Sequence, residues 1–167
     1  RFDRGPGGSR THMHTFGGMV HSHFRDPHRD YQEFLPVVFT LTKDIAQVEQ
    51  AFRRATFNVL AHNRDDHVKN HAFIAGPTGD WSLSPAYDIT FSTGVRDQHN
   101  MTVTGKGNPG LRELMKLAAD AGIHVRAAKE IVSLVEAAVR RWPEFAEQAG
   151  VTEASGKFVS DRFVPSA

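Results

Sequence analysis

Residues 44–60 constrain this chain more than any other stretch. Ile45, Val48, Phe52, Ala55, Thr56, Val59 and Leu60 recur at helical spacing, so a helix here carries one apolar face that must be buried. Asp44, followed three residues later by Gln47, resembles a capping box and sets where that helix begins. The helix then runs directly into Asn63-Arg64-Asp65-Asp66-His67-Val68-Lys69-Asn70. A crowded polar loop therefore hangs from the end of a rigid, buried element, an arrangement that can hold side chains in fixed positions.

The elements around it are short. Residues 1–4 read as a strand met mid-course, which, with Arg1 in first place, suggests a chain that begins inside a larger protein. Residues 5–10 are turn-forming by their Gly and Pro content, and residues 11–16 alternate as a short strand. Residues 31–42 carry Tyr31, Phe34, Leu35, Val38, Phe39 and Leu41 close to a helical stripe that Pro36 is expected to shorten. Residues 71–75 and 81–83 form two strands about the turn at 76–80, and residues 101–104 form another that ends at Gly105-Lys106-Gly107. Asn108 as N-cap, Pro109 in the first turn and Gly122 past the end bracket a helix with Leu111, Leu114, Met115, Leu117 and Ala118. A last helix over 126–141 turns Ile131, Leu134, Val135, Ala138 and Val139 inward, and Trp142-Pro143 bends its continuation toward Gly150. The pattern predicts one mainly α domain with small β elements (α+β) over residues 1–150, then a polar, poorly ordered tail over 151–167.

Composition narrows the function classes. With 20 basic and 19 acidic residues the net charge is +1, so no global field attracts nucleic acid or an anionic membrane. Zero Cys removes disulfides, thiolate metal sites and a thiol nucleophile, and fits a cytoplasmic location. No apolar run approaches the roughly 20 residues that span a bilayer, so no membrane is expected.

The loop at 63–70, together with Leu83-Ser84-Pro85-Ala86-Tyr87-Asp88, carries the chemistry. Phosphoryl transfer needs a carboxylate to orient and deprotonate the acceptor hydroxyl, oxygen ligands for Mg2+, and a cation near the moving phosphate. Asp65 and Asn70 are five apart, the spacing of the catalytic Asp and metal-binding Asn in the protein-kinase loop His-Arg-Asp-x-x-x-x-Asn, with Asn63 where that loop has His. Asp88 stands where the second metal-binding acid of a kinase would follow, although Tyr-Asp-Ile replaces Asp-Phe-Gly. Asp65 is thus the candidate base, Asn70 and Asp88 the candidate metal ligands, and His67 and Lys69 the candidate phosphate contacts. The structural alternatives are a loop acid for Asp65, an Asx turn for Asn70 and a cap for Asp88; Asp66 is taken as structural or exposed. A metal-dependent phosphohydrolase using His62, Asp65, Asp66 and His67 is a weaker alternative, because it leaves Asn70 and Asp88 unexplained. His12, His14, His21 and His23 form two His-x-His pairs without an acid at defined spacing, and Gly105-Lys106-Gly107 lacks the rest of a Walker pattern, so it is taken as a tight turn.

These motifs together resemble the C-terminal region of the HipA-like serine/threonine kinases, toxins of bacterial toxin–antitoxin pairs. The resemblance runs from Arg1-Phe2-Asp3-Arg4 through His12-Met13-His14-Thr15, Phe57-Asn58-Val59-Leu60, the loop at 63–70 with Phe73, and the segment ending at Asp88. It continues to Gly105-Lys106-Gly107 and Arg141-Trp142-Pro143-Glu144-Phe145. It implies a protein-kinase-like C-terminal lobe, with Asp65 as catalytic acid–base, Asn70 and Asp88 as Mg2+ ligands, and His67 and Lys69 beside the ATP phosphates. It also implies a protein Ser or Thr acceptor (aminoacyl-tRNA synthetases in the family), a helix-turn-helix antitoxin, and operator DNA reached mainly through that antitoxin. The family's nucleotide-holding N-terminal lobe would precede Arg1, so this polypeptide alone is expected to be inactive. A non-catalytic module that docks an antitoxin or a separate N-lobe is the alternative.

Overall fold

The computed structural model describes residues 1–23, 29–94 and 97–163. The chain opens on a turn where a strand was expected. Arg1 binds the Asp3 carboxylate at 2.8 Å, and a 3-10 turn at Pro6–Gly8 brings Arg4 opposite Arg10. Pro6 and the left-handed Gly7 (φ 67°) reverse the chain before a ladder can form. Strand β1 (His12–Thr15) follows and passes directly into α1 (Phe16–Met19), a single turn capped by the Thr15 hydroxyl, which accepts from the Gly18 N–H at 3.1 Å.

Strand β2 (Arg29–Asp30) leads into α2 (Tyr31–Thr42), whose N-cap Asp30 accepts from the Gln32 N–H at 2.7 Å. Pro36 lies inside α2 and does not shorten it. It is exposed, and its missing N–H costs one bond, to the Gln32 carbonyl, while Tyr31, Phe34, Leu35 and Val38 stay buried on the other face. Helix α3 (Ile45–Leu60) begins where the stripe predicts, with the Asp44 carboxylate accepting from the Ala46 N–H at 2.9 Å. The capping box is only half formed, because Gln47 reaches across to accept from the Leu83 N–H at 2.6 Å. Strands β3 (Ala72–Ala75) and β4 (Trp81–Leu83) make the expected hairpin, and β1 pairs with the far side of β3 to give the order β1-β3-β4. Strand β5 (Met101–Thr102) lies parallel to β2.

Helix α4 (Leu111–Asp120) starts two residues after the predicted Pro109. Gly110 is its N-cap, its N–H donating to the Glu113 carboxylate at 3.0 Å, and Pro109 is buried outside the helix. Helix α5 (Val125–Arg140) buries Ala128, Ile131, Val132 and Val135. Leu134 and Ala138, expected inward, are exposed, so the stripe is rotated toward Val132. Trp142-Pro143 opens α6 (Trp142–Gln148), as the bend predicts. Residues 151–163 do not form the poorly ordered tail that their polarity suggests. They contain α7 (Glu153–Ser160), whose N-cap Thr152 accepts from the Ser155 N–H at 3.3 Å. The Trp142 indole donates to the Gly156 carbonyl at 2.9 Å, tying α7 to α6. Residues 164–167 lie outside the described residues.

The chain is α+β, with α3 at its centre between α2, α4 and α5. Phe52, Ala55 and Val59 of α3 and Phe34, Leu35 and Val38 of α2 are fully buried, joined by Phe73 of β3 and by Leu114 and Leu117 of α4. Among the described residues no helix is long and apolar enough to cross a membrane. Phe52→Ala should destabilise the domain by about 3–5 kcal/mol, as truncation of a buried Phe does. Leu134→Ala, at a side chain 57% exposed, should cost far less. Urea unfolding of the two variants checks this; equal losses would show that α5 buries its other face.

Candidate functional site

The polar loop owes its position to the way α3 ends. His62 takes a left-handed conformation (φ 57°), its N–H donates to the Val59 carbonyl at 3.4 Å, and the Asn63 N–H donates to the Asn58 carbonyl at 2.8 Å. This is a Schellman termination with His where Gly is usual. The first loop residues are then stitched to the segment after Asp88. The Ser92 N–H donates to the His62 carbonyl at 3.0 Å, and the Arg64 N–H to the Ser92 carbonyl at 3.1 Å. From the other side α1 presses on the loop: the Gly17 N–H donates to the Val68 carbonyl at 3.0 Å, and the Phe16 N–H to the His71 carbonyl at 2.8 Å. A Cβ at Gly17 would stand 2.6 Å from the Val68 side chain, so only Gly permits this approach.

Asp66 anchors the loop from within. It is wholly buried, and its carboxylate accepts from four groups. The Tyr31 hydroxyl (2.9 Å) and His99 Nδ1 (3.0 Å) meet Oδ2; the backbone N–H groups of Asn100 (2.9 Å) and Met101 (3.3 Å) meet Oδ1. Facing a carboxylate, His99 Nδ1 carries the proton. The Tyr31 hydroxyl in turn accepts from Asn58 Nδ2 at 2.9 Å, and Asn58 Oδ1 accepts from Asn63 Nδ2 at 2.9 Å. Burial and the nearby Asp66 charge push the Tyr31 hydroxyl well above its ordinary value, so it stays a donor. His71 packs edge-on to Tyr31, ring centroids 5.4 Å apart, and burial pushes it down to about 4, so it is neutral.

The predicted site residues divide between this frame and the solvent. Asp65 is exposed, directly beside buried Asp66. Asn70 Nδ2 donates to the Asp65 carbonyl at 2.9 Å, which orients the carboxamide and leaves Oδ1 as the end suited to a cation. Asp88 is exposed on its own segment, in a left-handed conformation (φ 54°). That segment is fixed at both ends: the Ser84 N–H donates to the Ala72 carbonyl at 2.9 Å, the buried Arg54 guanidinium donates to the Ser84 carbonyl, and the Tyr87 hydroxyl donates to the Lys69 carbonyl. The last bond links the residues that immediately precede Asp88 and Asn70. Lys69 is exposed and His67 half-buried on the same loop.

The hydrolase set is not assembled. His62 is buried and stacked on Phe91, ring centroids 5.5 Å apart, and burial holds its pKa down. Asp66 spends both oxygens on the frame. Among the described residues no group of three or more His, Cys, Asp or Glu is placed to hold a metal ion, which also covers His12, His14, His21 and His23. The segment at 105–107 is a tight turn. Val103 and Lys106 exchange backbone hydrogen bonds across left-handed Thr104 and Gly105, and the Gly105 N–H donates to Asp30 at 2.7 Å. Sequence reasoning missed Tyr31, Asn58, His99 and Asn100. The one local signal was a carboxamide, Asn58, within the apolar stripe of α3.

The model of the HipA-like C-terminal domain matches residues 1–142, and the chain belongs to that family. Among solved structures it is similar to a chain of the Shewanella oneidensis MR-1 toxin–antitoxin complex of HipA, HipB and operator DNA, with TM-score 0.74 and 18% identity. That likeness covers 96% of this chain and 44% of the Shewanella chain, so the present chain spans less than half of that relative's length. No curated protein sequence matches the chain.

Neutral His71 makes stability fall with acid. Its folded value, about 4, lies below the unfolded value near 6.5, so the unfolded chain takes up the proton first. The contribution is whole above pH ~6.5 and is lost as pH falls toward 4, by roughly 3 kcal/mol. Unfolding measured at neutral and acid pH should show this slope in the native chain and a shallower one in His71→Gln; identical slopes would remove His71 from the account.

Proposed function

We propose that this chain is the catalytic lobe of a HipA-like, ATP-dependent protein serine/threonine kinase. The observation that carries the reading is the pair of ties at the loop: Asn70 to the Asp65 backbone, and Tyr87 of the Asp88 segment to Lys69. They tie the loop of Asp65 and Asn70 to the segment that carries Asp88, with Asp65 and Asp88 exposed and Asn70 half-buried. In this reading Asp65 orients the acceptor hydroxyl and takes its proton. Asn70 and Asp88 offer one carboxamide and one carboxylate oxygen, a hard-oxygen set that fits Mg2+, which usually completes its shell with substrate phosphates and water. His67 and Lys69, on the same loop, would contact the nucleotide phosphates. Bound Mg2+ and ATP supply the phosphoryl group and the charge neutralisation; the chain's own residues supply position.

The Shewanella complex joins HipA to HipB and operator DNA, which supports the further reading that this domain serves a toxin–antitoxin pair. A helix-turn-helix antitoxin is then its partner, and operator DNA is reached mainly through the antitoxin, as the near-neutral charge of +1 favours. Asp65→Asn and Asp88→Asn should each lower phosphate transfer by several orders of magnitude in the intact kinase that carries this domain, with cooperative unfolding retained, since both side chains are exposed. Transfer of radiolabelled phosphate to a protein acceptor measures this, and turnover near that of the native protein in either variant would sink the assignment.

A further inference from the structure

We propose that Asn100 is the positioning residue for Asp65, and that Asp66 and His99 are present to hold Asn100 in register; this rests on the reading of Asp65 as the acceptor-orienting base. An exposed carboxylate on a loop has two free side-chain torsions and no reason to point one way. Here Asn100 Nδ2 donates to Asp65 Oδ1 at 3.1 Å and also to the Arg64 carbonyl at 3.1 Å. One amide group thus spans the backbone before Asp65 and the side chain of Asp65 itself. With Oδ1 engaged, Oδ2 is the oxygen left for an acceptor proton.

Asn100 can do this because its own backbone is fixed. Its N–H is shared between the Arg64 carbonyl at 3.1 Å and Asp66 Oδ1 at 2.9 Å. The residues on either side, His99 and Met101, donate to the same buried carboxylate at 3.0 and 3.3 Å. The His99 N–H donates to the Gly107 carbonyl at 2.9 Å, and Met101 enters β5 and its pairing with β2. Three consecutive residues are therefore clamped to the loop through Asp66, and only the middle one reaches out to the exposed acid. Asp65 and Asp66 divide the work: one faces solvent, and the other fixes the residue that aims it.

The test is steady-state kinetics of the intact kinase with Asn100→Ala and the near-isosteric Asn100→Asp. Loss of aim should lower kcat about 10–100-fold, the scale of a misplacement near 1 Å. KM for Mg-ATP and for the protein acceptor should change less than about two-fold, because Asn100 binds neither. Asn100→Asp should be at least as slow as Asn100→Ala, since it replaces the donor with a like charge. A space-filling role would give the opposite order, because Asp keeps the shape of Asn. The inference is overturned if Asn100→Ala keeps kcat within two-fold, if Asn100→Asp is the faster variant, or if the loss appears in KM or in the unfolding midpoint. Asp65→Asn measured alongside separates the two levels: activity there removes the kinase reading of Asp65, whereas its loss with normal kcat in Asn100→Ala removes only the role of Asn100.

Discussion

A fully buried carboxylate is costly unless hydrogen bonds replace the water it gives up, and Asp66 shows that replacement completed. Its four donors come from α2 and from residues 99–101, distant in sequence from the loop and from each other. One side chain thereby joins the start of α2, the loop after α3 and the entry to β5. Polar networks of this kind rigidify when fully satisfied and fail when one member is lost, because the remaining groups are then buried without partners. The network ends on Asn58 and Asn63, where α3 stops, so helix termination and loop anchoring form one connected system.

That coupling explains how a loop of such polarity can be precise. Its backbone is held by Ser92 on one side and by Gly17 and Phe16 on the other. Val68 faces the core between them, 3% exposed. Asp65 and Lys69, the side chains proposed to meet a substrate, then stay in solvent at no desolvation cost. A buried catalytic carboxylate would need its own donors and would lose access to the acceptor. Setting a buried acid next to an exposed one resolves that conflict within two residues.

The sequence made the helices legible wherever apolar period and cap agreed, as at Asp44 for α3 and Gly122 after α4. It misplaced the start of α4, because Gly110 and Glu113 cap better than Asn108, whose neighbour Pro109 is drawn into the core. It missed α7, where the N-cap at Thr152 and the contact to Trp142 outweigh a polar composition. Spacing picked out exposed Asp65, Lys69 and Asp88 and half-buried His67 and Asn70, the residues proposed to form the site. It could not find Tyr31, His99 or Asn100, because their contacts to the loop join residues more than 30 positions apart and no local pattern encodes them. Asp66 was visible only as a second acid; its burial is a tertiary fact.

The remaining step concerns Asp88, whose left-handed backbone is unusual for a residue other than Gly, though Asp tolerates it better than most. Nothing in its own segment rewards that conformation: Pro85 and Ala86 are exposed, and the next residue, Ile89, is 41% exposed. The conformation is imposed from both sides, by Tyr87 on the Lys69 carbonyl and by Ser92 on the His62 and Arg64 backbones. Backbone strain persists only where the surroundings over-determine it, and such positions cluster at functional sites. Here the contacts of Tyr87 and Ser92 run to the loop that carries Asp65 and Asn70 and its first flanking residue, while Ala72 and Arg54 hold Ser84 at the segment's start. These ties set Asp88 relative to that loop, which is the requirement that two oxygen ligands on separate segments would have if they served a single cation.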